Sequence, residues 1–158
     1  MKRRQTSVPS QWLIADDRTC GHLWRALRRL PRGSGILLLH RGMPKRERAR
    51  LIAKLRRIAR QRGHVIVDEA VGEAARVHDS RELRRAGLRR TPLLFLSPLL
   101  PTRSHPDWTP IPLMRAAALL RLSRVPVVAL GGMDPKRFRR IERLGFRGWA
   151  GIDAWMDA

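Results

Sequence analysis

Two adjacent glycines, Gly131 and Gly132, are the residues of this sequence best placed to hold a phosphate group. They follow Val125–Leu130, a short apolar run typical of a strand buried on both faces. Asp134 and Pro135 come next and suit the N-cap and first position of a helix. Because glycine has no side chain, its backbone N–H can approach a ligand closely, and a helix start favours an anion. The pattern predicts a phosphate-binding turn, with a tight turn that holds no ligand as the alternative.

His78 is the residue best suited to transferring a proton near neutral pH, because an imidazole ring gains and loses its proton close to that range. It stands directly after the apolar segment Ala75–Val77, at the predicted end of a strand. The alternative for a single histidine in this position is a structural hydrogen bond.

Seven short apolar segments alternate with amphipathic helices or loops along the chain. The segments are Trp12–Ala15, Gly35–Leu39, Val65–Val67, Ala75–Val77, Leu93–Leu96, Val125–Leu130 and Gly148–Ile152. The predicted helices cover Leu23–Leu30, Pro44 to Gly63, a short stretch capped by Ser80, Leu113–Leu122, and a stretch from Asp134 to Gly145. Repeated βα units imply a parallel sheet with right-handed crossovers.

A polar residue or a glycine follows each apolar segment, at the predicted carboxyl end of the strand. These residues are Asp16, Arg41, Asp68, His78, Ser97, Gly131 and Asp153. In a (β/α)8 barrel such ends converge on one mouth, whereas in an open doubly wound sheet only those near the switch point would meet. We therefore predict an α/β fold, a TIM-type (β/α) barrel. A complete barrel needs roughly 200 residues or more, so this chain of 158 residues is shortened by about one βα unit, to about seven parallel strands.

The composition indicates one domain, residues 11–158, preceded by a basic N-terminal arm, residues 1–10. A hydrophobic fraction of 43% suffices for a core, and no apolar run approaches the roughly 20 residues that span a bilayer. The single cysteine, Cys20, cannot form an internal disulfide and fits a reducing compartment. With no signal-like segment at its start, the chain is expected to be cytoplasmic.

The net charge of +21 indicates attraction to polyanions. The arginines nevertheless fall on almost every predicted helix rather than along one stripe, and the chain has no tyrosine to stack on bases. We therefore expect no specific nucleic-acid partner. An anionic, phosphorylated small substrate would be drawn to the same surface.

Six segments of the chain, in order, resemble motifs of the thiamine phosphate synthase/TenI family. They are Leu13–Asp17 (L-I-A-D-D), Leu37–Arg41 (L-L-L-H-R), Val65–Asp68 (V-I-V-D), Arg76–Leu83 (R-V-H-D-S-R-E-L), Leu93–Pro106 (L-L-F-L-S-P-L-L-P-T-R-S-H-P) and Val125–Met133 (V-P-V-V-A-L-G-G-M). The last two are the most specific. By this resemblance, the fourth βα unit of the family is missing between Asp68 and Ala75, which accounts for the short chain.

The resemblance implies a TIM barrel and a place in thiamine biosynthesis. Synthase members join a pyrimidine methyl diphosphate to a thiazole phosphate, releasing pyrophosphate and using Mg²⁺, whereas TenI members aromatise the thiazole phosphate by proton transfer. The implied ligand is a phosphorylated thiazole or thiamine phosphate. Three hypotheses stay open: a synthase, a thiazole tautomerase with His78 as its acid/base, and a non-catalytic relative that binds a phosphorylated ligand or a polyanion.

The resemblance also assigns candidate site residues by position. It implies Arg41 and His78 as catalytic residues, Asp68 as an Mg²⁺ ligand, and Thr102, Ser104, His105, Gly131, Gly132 and Asp153 as substrate-binding residues. The second metal-site Asp of the family would lie in the missing unit, so Asp16 or Glu69 would have to bind Mg²⁺ together with Asp68. The diphosphate side is depleted, since Leu39, Met43 and Val67 stand where the family has Gln, Lys and Asn. Asp153 replaces a serine expected to face the phosphate, and would need a cation such as Arg147 or His105 beside it.

A barrel that lacks one unit exposes two strand edges, and exposed edges pair with other strands unless they are covered. We therefore expect a homodimer, or a covering segment at the gap. Pro98–Pro110 and the N-terminal arm are the candidates for that segment.

Overall fold

The computed structural model describes residues 7–16, 21–39, 42–103 and 105–156. Within them, the strands are β1 (Gln11–Ala15), β2 (Gly35–Leu38), β3 (Val65–Asp68), β4 (Ala75–Val77), β5 (Leu94–Leu96), β6 (Val127–Leu130) and β7 (Gly148–Gly151). The α-helices are α1 (Leu23–Arg29), α2 (Lys45–Arg62), α3 (Ser80–Leu88), α4 (Leu113–Leu122) and α5 (Pro135–Arg139). Short 3-10 helices occur at Glu69–Val71, Glu142–Leu144 and Asp153–Trp155. No helix in these ranges is long and apolar enough to cross a membrane.

The seven strands form one parallel sheet in the order β3-β2-β1-β7-β6-β5-β4. The first strand pairs with the last, as in a barrel, but β3 and β4 are the two ends of the sheet and do not pair. This order confirms the predicted TIM-type fold shortened by one unit. It also places the gap between Asp68 and Ala75, where the family resemblance implies that a βα unit is missing.

The apolar side chains form two layers, one on each face of the curled sheet. The outer layer lies between strands and helices and includes Leu13, Leu38 and Leu55. The inner layer fills the half-barrel, where the rings of Trp12 and Phe95 meet edge to face with centroids 5.3 Å apart. These layers hold the carboxyl ends of the strands in fixed positions, and those ends carry the candidate site.

The predicted boundaries of β4 and α4 are confirmed, and the ends of the other strands differ by one or two residues. The predicted cap of α3 is wrong: Asp79, not Ser80, is the N-cap, and its Oδ1 accepts the Glu82 N–H at 2.8 Å. This hydrogen bond lowers the pKa of the Asp79 carboxyl. Ser80 is therefore the first helical residue.

Three glutamates bind the backbone along the unpaired edges of β3 and β4, which we call the seam. Glu73 forms two hydrogen bonds with the backbone of Asp68, as a neighbouring strand would. Its N–H donates to the Asp68 carbonyl at 3.2 Å, and its Oε2 accepts the Asp68 N–H at 2.9 Å. On the other edge, Glu69 accepts the Arg76 N–H at 3.2 Å and Glu82 accepts the His78 N–H at 2.7 Å. Carboxylates therefore satisfy edge donors that a neighbouring strand would otherwise bind.

One residue of the predicted covering segment reaches the carboxyl end of β4. Trp108, from the predicted covering segment Pro98–Pro110, lies against the His78 ring at the seam. Most of the N-terminal arm, residues 1–6, lies outside the described residues. The homodimer stays a prediction.

Candidate functional site

The glycine pair forms a turn with left-handed backbone at both residues. Gly131 has φ of 100° and Gly132 has φ of 63°, a region that residues with a Cβ rarely adopt. The turn packs on the loop after β5, because the Leu99 N–H donates to the Leu130 carbonyl at 3.1 Å and the Leu100 N–H donates to the Gly131 carbonyl at 3.2 Å. The backbone conformation of the turn therefore requires glycine at both positions, whether or not a ligand binds there.

That packing leaves no room for side chains at the turn. A Cβ on Gly131 would lie 2.9 Å from Cα of Pro98, and one on Gly132 would overlap the carbonyl oxygen of Pro101. The turn after β6 and the loop after β5 are therefore pressed together at one side of the barrel mouth.

The glycine turn borders a pocket that Arg137 also lines. Among the residues that the structure describes, none accepts the N–H of Gly131 or Gly132. The Arg137 guanidinium folds back over the turn, and its Nη1 donates to the Gly132 carbonyl at 2.7 Å. Asp134 caps α5 by accepting the Arg137 N–H at 2.7 Å, as predicted for the N-cap, and Pro135 is the first helical residue. The Arg137 Nε also lies 3.5 Å from Oδ2 of Asp134, and half of the Arg137 side chain stays exposed, so an anion at the turn would share this cation with Asp134.

The glycine turn lines a cavity of about 480 Å³ at the carboxyl ends of β5, β6 and β7, which we call the site pocket. This volume suits a small phosphorylated ligand. The structure brings five of the predicted substrate-binding residues to its wall: Thr102, His105, Gly131, Gly132 and Asp153. Two further predicted residues, Arg41 and Ser104, lie outside the described residues.

An aromatic wall separates the site pocket from a second cavity. The Trp108 indole stacks on the His105 ring with centroids 4.1 Å apart and planes 10° apart. The His78 ring meets the same indole edge-on, with centroids 5.8 Å apart. Trp108 and Arg76 line both cavities.

His78 lies in the second cavity, which follows the seam and measures about 510 Å³; we call it the seam cavity. Its Nδ1 is 2.8 Å from the Glu82 carboxylate, which also accepts the His78 backbone N–H. The Nε2 atom is buried and has no hydrogen-bond partner in the described part of the chain. A carboxylate therefore orients the ring, but the ring does not line the site pocket.

A family model described as thiamine monophosphate synthase matches residues 69–155, slightly more than half of the chain. The chain belongs to this family. Among solved structures, it is similar to thiamine phosphate pyrophosphorylase from Pyrococcus furiosus, with a TM-score of 0.79 and 20% identity over 97% of this chain and 90% of that one. At this identity the structural likeness shows the fold, and the family match confirms the resemblance first seen in the strand-end motifs. No curated protein matches the chain.

The match begins at Glu69, so the second half of the chain carries the family signal. That half supplies the glycine turn and the walls of the site pocket. It agrees with the specificity of the motifs, since Leu93–Pro106 and Val125–Met133 carry the closest resemblance.

The carboxylates predicted to bind Mg²⁺ do not form a ready site. Oδ2 of Asp68 forms a salt bridge with the Arg48 guanidinium, and Oδ1 accepts the Ala70 N–H at 2.9 Å. Asp16 is buried, also engaged, and follows β1, with β2 lying between it and Asp68. Within the described residues, no group of three or more His, Cys, Asp or Glu side chains could hold a metal ion. These residues do not fit the ion, and Mg²⁺ stays a prediction of the family resemblance.

The carboxylate of Asp153 remains the unusual feature of the site pocket. It lines the pocket at the start of a 3-10 helix and makes no side-chain hydrogen bond or ion pair with the described residues. The suggested pairing with Arg147 or His105 is therefore not found. The carboxylate faces a space that also contains Arg137, so a bound anion would share that cation with it.

Sequence reasoning missed two residues that shape the site. Arg137 was counted among the solvated arginines of a helix, yet it folds onto the glycine turn. Arg76 was read only as part of a motif, yet it lines both cavities and pairs with Glu69. The spacing of Arg137 three residues after an N-cap, next to two glycines, is the signal that could have found it.

Proposed function

We propose that this chain binds a thiazole phosphate, or thiamine phosphate, in the site pocket and acts as a thiamine phosphate synthase-type transferase. The observation that carries the proposal is the glycine turn, where two backbone N–H groups and the Arg137 guanidinium meet beside a pocket of about 480 Å³. Backbone amides together with a guanidinium are the usual partners of a phosphate monoester.

The reaction asks the protein mainly to position its substrates. The C–O bond from the pyrimidine methylene carbon to the diphosphate breaks, and pyrophosphate leaves with the electron pair. The thiazole nitrogen then forms a C–N bond to that carbon, which is a resonance-stabilised cation. Holding the thiazole by its phosphate at the glycine turn would fix its nitrogen toward the mouth. The stacked Trp108–His105 pair would then form a flat wall beside the thiazole ring.

The direct test is turnover by the purified full chain. Thiazole phosphate and pyrimidine methyl diphosphate are supplied with Mg²⁺ in the buffer, and thiamine phosphate and pyrophosphate are measured. Arg137→Ala removes a charge-assisted contact, so the KM for thiazole phosphate, or the Kd for thiamine phosphate, should rise by about 10- to 100-fold. Arg139→Ala is the matched control, because Arg139 lies on the same helix, is exposed and does not line the pocket. Absence of turnover at high enzyme concentration would reject the synthase, and equal effects of the two variants would reject the site.

A tautomerase is the second candidate, favoured by the His78–Glu82 pair and the unpartnered Nε2. In this hypothesis His78 moves protons on the thiazole phosphate, whose ring would have to extend past Trp108 into the seam cavity. His78→Gln should then abolish isomerisation while thiazole phosphate still binds, and an unchanged rate would reject it. Binding of the phosphate without either reaction would identify a non-catalytic family member.

A further inference from the structure

The seam cavity has a positive wall that no role assigned so far explains. Arg85, in α3, and Arg89, the C-cap of α3, lie one turn apart, and both are exposed residues that line this cavity. Neither guanidinium forms an ion pair with a residue that the structure describes. Like charges spaced four residues apart destabilise a helix slightly, and a bound anion would reduce the repulsion between these two guanidinium groups.

The carboxylates in the same cavity are already engaged. Glu69 is bound by both the Nε and Nη2 atoms of Arg76, at 3.1 and 3.2 Å, and by its backbone N–H. Glu82 is bound by the backbone and the ring of His78. Arg76 neutralises Glu69, whereas the hydrogen bonds from His78 hold Glu82 without neutralising it. Glu82 therefore offsets one of the two charges of Arg85 and Arg89, and the cavity keeps a net positive charge that favours an anion over a cation.

The cavity also adjoins the site pocket and offers an aromatic surface. Trp108 and Arg76 line both spaces, and 42% of Trp108 is exposed. At about 510 Å³, the seam cavity has room for a heterocycle with a short chain of phosphates. Meanwhile Asp68, the predicted metal ligand on the opposite side of the seam, is paired with Arg48.

We propose that the seam cavity binds a diphosphate group, with Arg85 and Arg89 as its cationic ligands and Trp108 beside the attached ring. The inference rests on the proposed function, because a synthase needs a place for the diphosphate of its second substrate. It goes further by placing that group at the gap left by the missing βα unit. Guanidinium groups then supply the charge compensation there.

The experiment measures binding of inorganic pyrophosphate to the full chain by calorimetry at fixed ionic strength. The paired substitution Arg85→Gln with Arg89→Gln should weaken binding by about tenfold or more. The matched control is Arg81→Gln with Arg84→Gln, which removes the same charge from the same helix at exposed positions outside the cavity. The control should change the Kd by less than about twofold, because its two arginines are as exposed as Arg85 and Arg89 but do not line the cavity, so only screened, longer-range attraction is lost. Urea unfolding of both variants confirms that each is folded.

Two results would overturn the inference. Equal weakening by both pairs would show general attraction to a basic surface, and weakening by Arg137→Ala alone would place pyrophosphate in the site pocket. Thiamine phosphate is titrated against the same proteins as a separate readout. If it fails to bind the parent chain while pyrophosphate depends on Arg85 and Arg89, the proposed function fails and the anion site stands. If thiamine phosphate binds and pyrophosphate does not, the anion site fails and the proposed function stands.

Discussion

The Arg48 guanidinium on α2 forms a salt bridge with Oδ2 of Asp68, at the carboxyl end of β3. The other oxygen of Asp68 accepts the Ala70 N–H and so caps the 3-10 helix Glu69–Val71. Both partners are mostly buried, with 21% and 9% of their side chains exposed. Asp68 thus joins a helix, a strand and a turn at the seam, in the position where the family resemblance implies a metal ligand.

We predict that Asp68→Asn destabilises the fold by about 1–3 kcal/mol, because it removes a largely buried charged hydrogen bond and leaves the Arg48 charge without its partner. Urea unfolding measures this change. Glu47→Gln, at an exposed position on the same helix as Arg48, is the control and should change stability by less than about 0.5 kcal/mol. The interpretation of Asp68 as an anchor would be wrong if the two variants were equally stable.

Removing the salt bridge should also change the response to Mg²⁺. In Arg48→Ala the Asp68 carboxylate loses its cation, so Mg²⁺ should bind more tightly to this variant than to the parent chain. Arg50→Ala, exposed on the same helix, is the control of equal charge. Calorimetric titration with Mg²⁺ alone provides the measurement, and tighter binding to the parent chain than to Arg48→Ala would contradict this account of Asp68.

The glycine turn should tolerate no side chain. Gly132→Ala places a Cβ against the Pro101 carbonyl at a residue with φ of 63°, so we expect a loss of about 2–4 kcal/mol in the free energy of unfolding. Gly145 is the matched control, because its φ is 107° but a Cβ there would meet no atom within 4 Å. Gly145→Ala should therefore cost only the backbone strain, about 1 kcal/mol. Equal losses would show that packing on Pro98–Pro101 contributes nothing.

The carboxylates of the seam should keep the sheet edges from pairing with other chains. In a chain carrying both Glu69→Ala and Glu73→Ala, the N–H groups of Asp68 and Arg76 lose their acceptors. We expect stronger self-association, because unpaired edge donors favour strand addition. Sedimentation velocity over a range of concentrations measures it, with Glu47→Ala plus Glu142→Ala as the control of equal charge at exposed positions. An unchanged association state would show that the edges are protected by something else.

The architecture was predictable because each βα unit carries its own local signals. Buried runs such as Val127–Leu130 and helix ends such as Gly63, with φ of 70°, depend on residues adjacent in the chain. The gap at the seam was predictable, but the hydrogen bonds that satisfy its unpaired strand edges were not. Whether Glu73 reaches back to Asp68 depends on the path of a turn, and sequence spacing does not specify that path.

The sequence could not show in which direction each side chain at the barrel mouth extends. Arg137 is one of many arginines in the sequence, and only the fold reveals that it bends onto the Gly132 carbonyl. Likewise, His78 stands at a strand end like the other predicted site residues, yet its ring lies on the far side of Trp108 from the glycine turn. The ends of the strands converge on the barrel mouth, but the position of a residue at a strand end does not determine which part of the mouth its side chain occupies.

His64 should make the stability of the protein depend on pH. It follows the C-cap Gly63, its backbone N–H donates to the Ala59 carbonyl at 2.9 Å, and its ring is buried. Neither ring nitrogen has a hydrogen-bond partner in the described part of the chain. Burial first, and the neighbouring Arg62 charge second, lower the pKa of His64 below its ordinary value of 6.5.

Since the lowered pKa belongs to the folded state, the unfolded chain takes up a proton at His64 before the folded chain does. The contribution of His64 to stability is therefore fully present above about pH 6.5 and is lost as the pH falls through the lower, folded-state pKa. We expect the free energy of unfolding in urea to fall between pH 7.5 and 5.5, and to fall less in His64→Leu. His22→Leu is the control, because it removes an exposed histidine in place of the buried one. If His64→Leu and the parent chain had the same slope, the buried imidazole would not be the group that titrates in this range.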